Sequence, residues 1–257
     1  WVIGEFVWTG FDYLGEPTPY DEYWPSRSSY FGICDLAGLP KDRYYLYRSK
    51  WQKDEHTIHL LPHWTWSSRK GQVTPVYCYT DYSEAELFVN GKSQGRIKKN
   101  PKERLDRYRL RWNNVKYQPG ELKVVVYDDN GNVAGEKSVR TAGKPAQLKL
   151  DVWTQQEGLK ADGQDLAFVT VSPIDKNGTM IPDATDRLTF TVKGAGKFRA
   201  VCNGDATSLE SFTQSAMKLF SGQLVAIVQA GKKSGNLTLT VHDPPRKLSK
   251  TITIPVQ

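Results

Sequence analysis

Ala85-Glu86-Leu87-Phe88-Val89-Asn90-Gly91-Lys92-Ser93-Gln94-Gly95-Arg96-Ile97 decides the fold of most of this chain. Two short runs of β-forming residues are joined by Asn-Gly, the pair that best tolerates the two positive φ angles of a tight hairpin turn. Period-two patterning extends from this hairpin in both directions, from about Glu55 to Gly143, in short strands separated by turn residues as in an antiparallel sandwich. Later strands fall at residues 121–127 and 133–140, joined through Asp128-Asp129-Asn130-Gly131-Asn132. After Ala142-Gly143-Lys144-Pro145 the same grammar restarts, with strands near 146–154, 166–175, 188–192, 224–229, 237–241 and 248–255. Lys176-Asn177-Gly178 is a hairpin turn here, and Asp243-Pro244-Pro245 interrupts the strands near the end. Two separate sandwiches are expected, over 55–143 and 144–257.

Residues 1–54 read differently. Trp1-Val2-Ile3-Gly4-Glu5-Phe6-Val7-Trp8 is a short apolar strand, followed by a loop rich in Pro, Gly and aromatics. Pro40 then precedes a helix over 41–51, where Tyr44, Tyr47 and Trp51 recur at helical spacing. Strand, loop and helix make one βα unit, which cannot bury both faces of its strand and so belongs to a larger α/β structure. A chain opening on Trp1 reads as part of a longer polypeptide.

The 257 residues carry a net charge of +7, concentrated in the middle segment, where 15 basic residues stand against 9 acidic ones. In Arg107-Tyr108-Arg109-Leu110-Arg111-Trp112 the charges alternate with large apolar residues, as on a strand with one wet face. A solvated face is therefore expected, and not a nucleic-acid site. No apolar run of eighteen residues exists, so no membrane-spanning helix is expected. Cys34, Cys78 and Cys202 fall in three different segments and read as free thiols. His59 and His63 are four apart, but the surrounding residues read as a strand containing Pro62, which removes the helical spacing that a metal pair would use. No cofactor motif is present.

Gly4-Glu5-Phe6-Val7-Trp8-Thr9-Gly10-Phe11-Asp12-Tyr13-Leu14-Gly15-Glu16-Pro17 and Ser28-Ser29-Tyr30-Phe31-Gly32-Ile33-Cys34-Asp35-Leu36-Ala37-Gly38-Leu39-Pro40-Lys41 resemble the last strand, loop and helix of the catalytic barrel in glycoside hydrolase family 2, β-galactosidases above all. His59-Leu60-Leu61-Pro62-His63-Trp64-Thr65-Trp66 and Glu86-Leu87-Phe88-Val89-Asn90-Gly91-Lys92-Ser93 are similar to the sandwich domain that follows that barrel. Asn203-Gly204-Asp205-Ala206-Thr207-Ser208-Leu209-Glu210 and Phe220-Ser221-Gly222 resemble the immunoglobulin-like domain further along. The resemblance implies a mainly β chain: the last βα unit of a (β/α)8 barrel over 1–54, then two immunoglobulin-like antiparallel β-sandwich domains.

It also implies a chemistry. A retaining exo-β-glycosidase acting on terminal β-galactosides uses one carboxylic acid to protonate the leaving oxygen and a second, roughly 5 Å away, as nucleophile. In the family both are glutamates on earlier barrel strands, so this chain is expected to carry neither and to be inactive alone. Glu5 is no substitute, since it stands three positions before Trp8 and faces the other side of the strand. Trp8, at the C-terminal end of that strand, corresponds to a tryptophan that walls the sugar subsite, its ring suited to the apolar face of a galactosyl unit. The alternative for Trp8 is a core tryptophan. Asp12 and Glu16 stand in the following loop and either bind sugar hydroxyls or satisfy nearby backbone N–H groups.

Magnesium or sodium, used by some members, would sit at barrel positions outside this chain. Expected partners are β-galactoside glycans, with any homo-oligomer formed through the full-length enzyme, and the resemblance implies a periplasmic or secreted bacterial location. A second reading treats the sandwiches as carbohydrate-binding modules presenting Trp64, Trp66, Trp112 and Trp153, or as spacers in an adhesin-like surface protein. Against it, the alternation around Trp112 and Trp153 directs those rings inward.

Overall fold

The computed structural model describes residues 1–257 and is built mainly of antiparallel strands with one helix. Two compact units emerge, one formed by Trp1–Leu39 with Gly143–Gln257, the other by Pro40–Ala142.

In the Pro40–Ala142 unit, helix α1 (Asp42–Trp51) precedes β1 (Ile58–Leu61), β2 (Val76–Thr80), β3 (Glu84–Val89), β4 (Lys92–Lys98), β5 (Leu110–Trp112), β6 (Glu121–Tyr127) and β7 (Val133–Arg140). The strands form a three-stranded sheet, β1-β2-β5, and a four-stranded sheet, β4-β3-β6-β7. Leu60, Val76, Cys78, Leu110 and Trp112 from the first meet Ala85, Leu87, Val89, Leu122, Val124 and Val126 from the second in one core. Asn90 and Gly91 take φ values of 50° and 78°, both positive as the hairpin requires. Asn90 also clamps the neighbouring loop, donating from Nδ2 to the Pro119 carbonyl and accepting from the Glu121 N–H.

Trp64 and Trp112 are core residues whose indole N–H groups donate to the carbonyls of Gln118 and Gly95. Trp66 stacks on His63 and donates to its carbonyl. Helix α1 packs on β1 and β2, with Tyr45 stacked on His59 at 3.8 Å and Asp42 paired to the same imidazole. The alternating stretch 107–112 contributes only a three-residue strand, because residues 100–107 are wound into turns closed by bonds such as Arg107 N to Glu103 O. Its phase is as expected, Leu110 and Trp112 pointing inward. Much of the basic charge is paired: Arg96 and Lys98 with Glu84, Lys123 with Glu136, Arg111 with Asp106, Arg140 with Glu121.

The second sandwich comprises β8 (Pro145–Trp153), β9 (Leu166–Asp175), β10 (Arg187–Gly194), β11 (Gly196–Cys202), β12 (Ala216–Lys218), β13 (Leu224–Ala230), β14 (Gly235–Asp243) and β15 (Leu248–Val256). Its sheets run β11-β13-β9-β8 and β12-β10-β14-β15. Asp175 accepts the N–H groups of Asn177 and Thr179 and so shapes the turn at Gly178. Strands β11 and β12 have no counterpart in the sequence reading. A bulge between Phe198 and Ala200 breaks the period of β11, and β12 is three residues long. Trp153 departs from the inward position expected for it: it is 61% exposed, beside Phe168 on the outer face of edge strand β8. No helix is long and apolar enough to cross a membrane, and the three cysteines form no disulfide.

Residues 1–8, expected as a strand, form no ladder. Trp1, Val2, Ile3 and Phe6 are exposed. A strand's N–H and C=O groups need neighbouring strands on its edges, and none lies beside this segment.

Candidate functional site

The loop after Trp8 is laced to residues 27–34 by backbone bonds: Asp12 N to Cys34 O, Cys34 N to Gly10 O, Ile33 N to Thr9 O, Ser29 N to Tyr13 O and Gly15 N to Arg27 O. Gly32 makes this approach possible. A Cβ there would stand 2.2 Å from the Asp12 nitrogen, far inside contact distance. Three cis peptides, Trp8–Thr9, Thr18–Pro19 and Trp24–Pro25, occur along the segment.

On this frame the three expected site residues separate. Trp8 is 70% exposed. Its indole N–H donates to the Tyr13 hydroxyl at 3.1 Å, the Tyr13 ring meets it edge-on, and the Tyr13 hydroxyl in turn donates to Glu16. The bond to Glu16, with some burial, holds the Tyr13 phenol above its ordinary pKa, keeping it a donor. The relay Trp8, Tyr13, Glu16 therefore fixes the indole's orientation. Asp12 is buried and accepts the Gly32 N–H at 2.8 Å, binding two strands of the loop together as the backbone alternative requires. Glu16 is exposed and beside Tyr13. Tyr13 was missed by sequence reasoning; its position between Trp8 and Glu16 was the available signal.

Further along, Tyr20 packs against Tyr23 and Tyr30, and Tyr23 and Trp24 stand in solvent. The segment's far side rests on the second sandwich. Arg27 N donates to Ala206 O at 3.2 Å, its guanidinium lies over Phe212, and Cys202 Sγ contacts the Leu36 carbonyl. A fixed, exposed indole beside hydroxyl and carboxylate groups is an arrangement suited to a sugar ring: an apolar face with polar groups at its edge.

Comparison with known proteins gives this arrangement its class. A model described as glycoside hydrolase family 2 C-terminal domain 5 matches residues 150–251, and one for a domain of unknown function, DUF4982, matches residues 71–135. The chain is 47% identical over 240 residues to the beta-galactosidase BoGH2A of Bacteroides ovatus, covering 93% of this chain and 27% of that protein. It is 35% identical over 234 residues to a putative beta-glucuronidase of Formosa agariphila, covering 90% of this chain and 22% of that one. The crystal structure of a beta-glycosidase from Bacteroides vulgatus superposes with a TM-score of 0.84 at 33% identity, over 96% of this chain and 30% of the other. These are glycosidases. The chain belongs to glycoside hydrolase family 2, and it spans about a quarter of the length of the curated relatives it matches.

Proposed function

We propose that this chain is the C-terminal part of a retaining exo-β-galactosidase, exported to the periplasm or beyond, whose two catalytic glutamates lie outside it. Residues 1–54 form the last βα unit of a (β/α)8 barrel, and the two sandwiches, over 55–143 and 144–257 and immunoglobulin-like in architecture, are accessory domains. Trp8 forms a wall of the sugar subsite, held by Tyr13, with Glu16 available to sugar hydroxyls and Asp12 maintaining the loop. The observation that carries this reading is the orientation of Trp8, exposed yet fixed through Tyr13 and Glu16. The exposed run Trp1 to Phe6 supports it, since a barrel strand would be covered by its neighbours.

Galactoside is favoured over glucuronide by charge. Beside Trp8 stand the Tyr13 hydroxyl and the Glu16 carboxylate, and a carboxylate there offers a uronic acid no counter-charge. The full-length enzyme should hydrolyse nitrophenyl β-galactoside and leave the β-glucuronide essentially untouched, and residues 1–257 alone should hydrolyse neither. Preference for the glucuronide would overturn the assignment. The reading as binding modules of a surface protein loses Trp64 and Trp112, which are in the core, and keeps Trp153, which is exposed.

A further inference from the structure

Two motifs of the second sandwich, Asn203 to Glu210 and Phe220-Ser221-Gly222, lie outside the Trp8, Tyr13 and Glu16 relay and enclose a groove of about 480 Å³. That size falls within the range of small-molecule sites. Its apolar surface is the Phe220 ring and the Leu209 side chain, both exposed. Its polar rim is Arg187, Glu210, Lys218 and Thr185.

The groove is built rigidly. Phe220 and Gln223 exchange backbone hydrogen bonds of 3.0 Å across a turn in which Ser221 and Gly222 have φ values of 50° and 73°. Gly222 lies against the Ile181 carbonyl, where a Cβ would come within 2.2 Å. On the opposite wall, Asn203 is buried and ties Lys218 O to Asp205 N. Glu210 accepts the Lys218 N–H at 3.0 Å and pairs with Arg187. An exposed aromatic ring whose backbone is fixed, facing a fixed ion pair, loses little freedom when a ligand binds. Cations and carboxylate together offer both donors and acceptors, which suits the hydroxyls of a neutral saccharide better than a purely anionic or purely apolar ligand.

The groove is joined to the Trp8 loop. Arg27 donates its N–H to Ala206, in the wall loop, and accepts from Gly15, next to Glu16. Arg27 thus links Gly15 and Ala206 through its own backbone N–H and carbonyl. We infer that the Phe220 groove is a second saccharide subsite, taking the leaving-group side of an oligosaccharide whose terminal sugar lies against Trp8. The inference rests on the galactosidase reading for its substrate, and the sandwich then contributes to specificity for chain length.

The test uses Phe220→Ala and Leu209→Ala in the full-length enzyme, with β-1,4-galactotetraose and nitrophenyl β-galactoside as substrates. Both side chains are exposed, so melting temperatures should match wild type. The expected result is a tenfold or greater fall in kcat/KM for the tetraose in Phe220→Ala, a smaller fall in Leu209→Ala, and unchanged turnover of the nitrophenyl substrate. Equal effects on both substrates, or none on either, overturn the inference. A separate arm titrates residues 1–257 with galactotetraose by calorimetry, where Phe220→Ala should weaken binding at least tenfold. A wild-type enzyme inactive on both galactosides would sink the galactosidase reading; the titration alone then decides the groove, and absence of binding, or binding indifferent to Phe220→Ala, counts against it.

Discussion

Residues 1–8 and the Pro40–Ala142 sandwich both carry tryptophan and valine, yet the first leaves Trp1, Val2 and Trp8 in solvent and the second seals Trp64, Trp112, Val76 and Val124 inside. In the sandwich every strand has a ladder partner and a facing sheet, so Trp64 and Trp112 find both apolar contact and carbonyls for their N–H groups. The leading segment has neither. The contrast teaches that hydrophobic sequence identifies what must be buried, whereas the burial itself depends on partner elements being present.

The largest expected effect comes from testing that contrast by truncation. Trp64→Ala should destabilise the sandwich by about 3–5 kcal/mol, the usual cost of emptying a large aromatic site. Phe6→Ala in the same chain should change stability by less than about 0.5 kcal/mol. Urea midpoints measure both, and comparable losses would erase the distinction between the two regions.

A second, smaller effect is expected where the leading segment does become ordered. Gly32→Ala forces a methyl against the Asp12 nitrogen and the Cys34 carbonyl, with a penalty of about 1–3 kcal/mol typical of overpacking. Hydrogen exchange at Asp12, Ile33 and Cys34 should quicken while the amides of β3 and β6 remain protected. Uniform protection would show that the lacing is looser than the geometry implies.

The smallest effect sharpens the sandwich's side of the comparison. Burial, with help from the Lys50 charge, pushes Lys99 down to about 8, and its ammonium donates to the Thr80 carbonyl. Between that value and the ordinary lysine pKa the unfolded chain holds more protons at this position than the folded one. Raising pH from 8 to 10 should therefore favour the fold through this group, and the gain should vanish as pH falls through 8. The contribution is on the order of 1 kcal/mol once solvent screening is allowed for. Comparing urea midpoints of wild type and Lys99→Met across that window checks it, and identical pH slopes would contradict it.

The sandwiches were legible in the sequence because alternation and turn chemistry are local. The Asn90-Gly91 hairpin and the strands flanking Asp128–Asn132 follow from neighbouring residues alone. Strand β11 was not legible, since its bulge shifts the alternation by one residue. Trp153 was misread because alternation sets which residues share a face without saying which face is covered. In the candidate site, Trp8 and Glu16 were singled out through the family resemblance, whereas the role of Gly32 depends on a loop returning from residues 27–34, a contact no local pattern encodes.

The most direct test of the central claim is Trp8→Ala in the full-length enzyme. An indole that stacks on the sugar as its ring flattens should contribute to transition-state binding, so kcat/KM for nitrophenyl β-galactoside should fall by about 2–4 kcal/mol in equivalent free energy, the scale of one well-placed active-site contact. Denaturant midpoints should stay near wild type. Unchanged kinetics, or a kinetic loss accompanied by a collapse in stability, would contradict the subsite role and make Trp8 a packing residue.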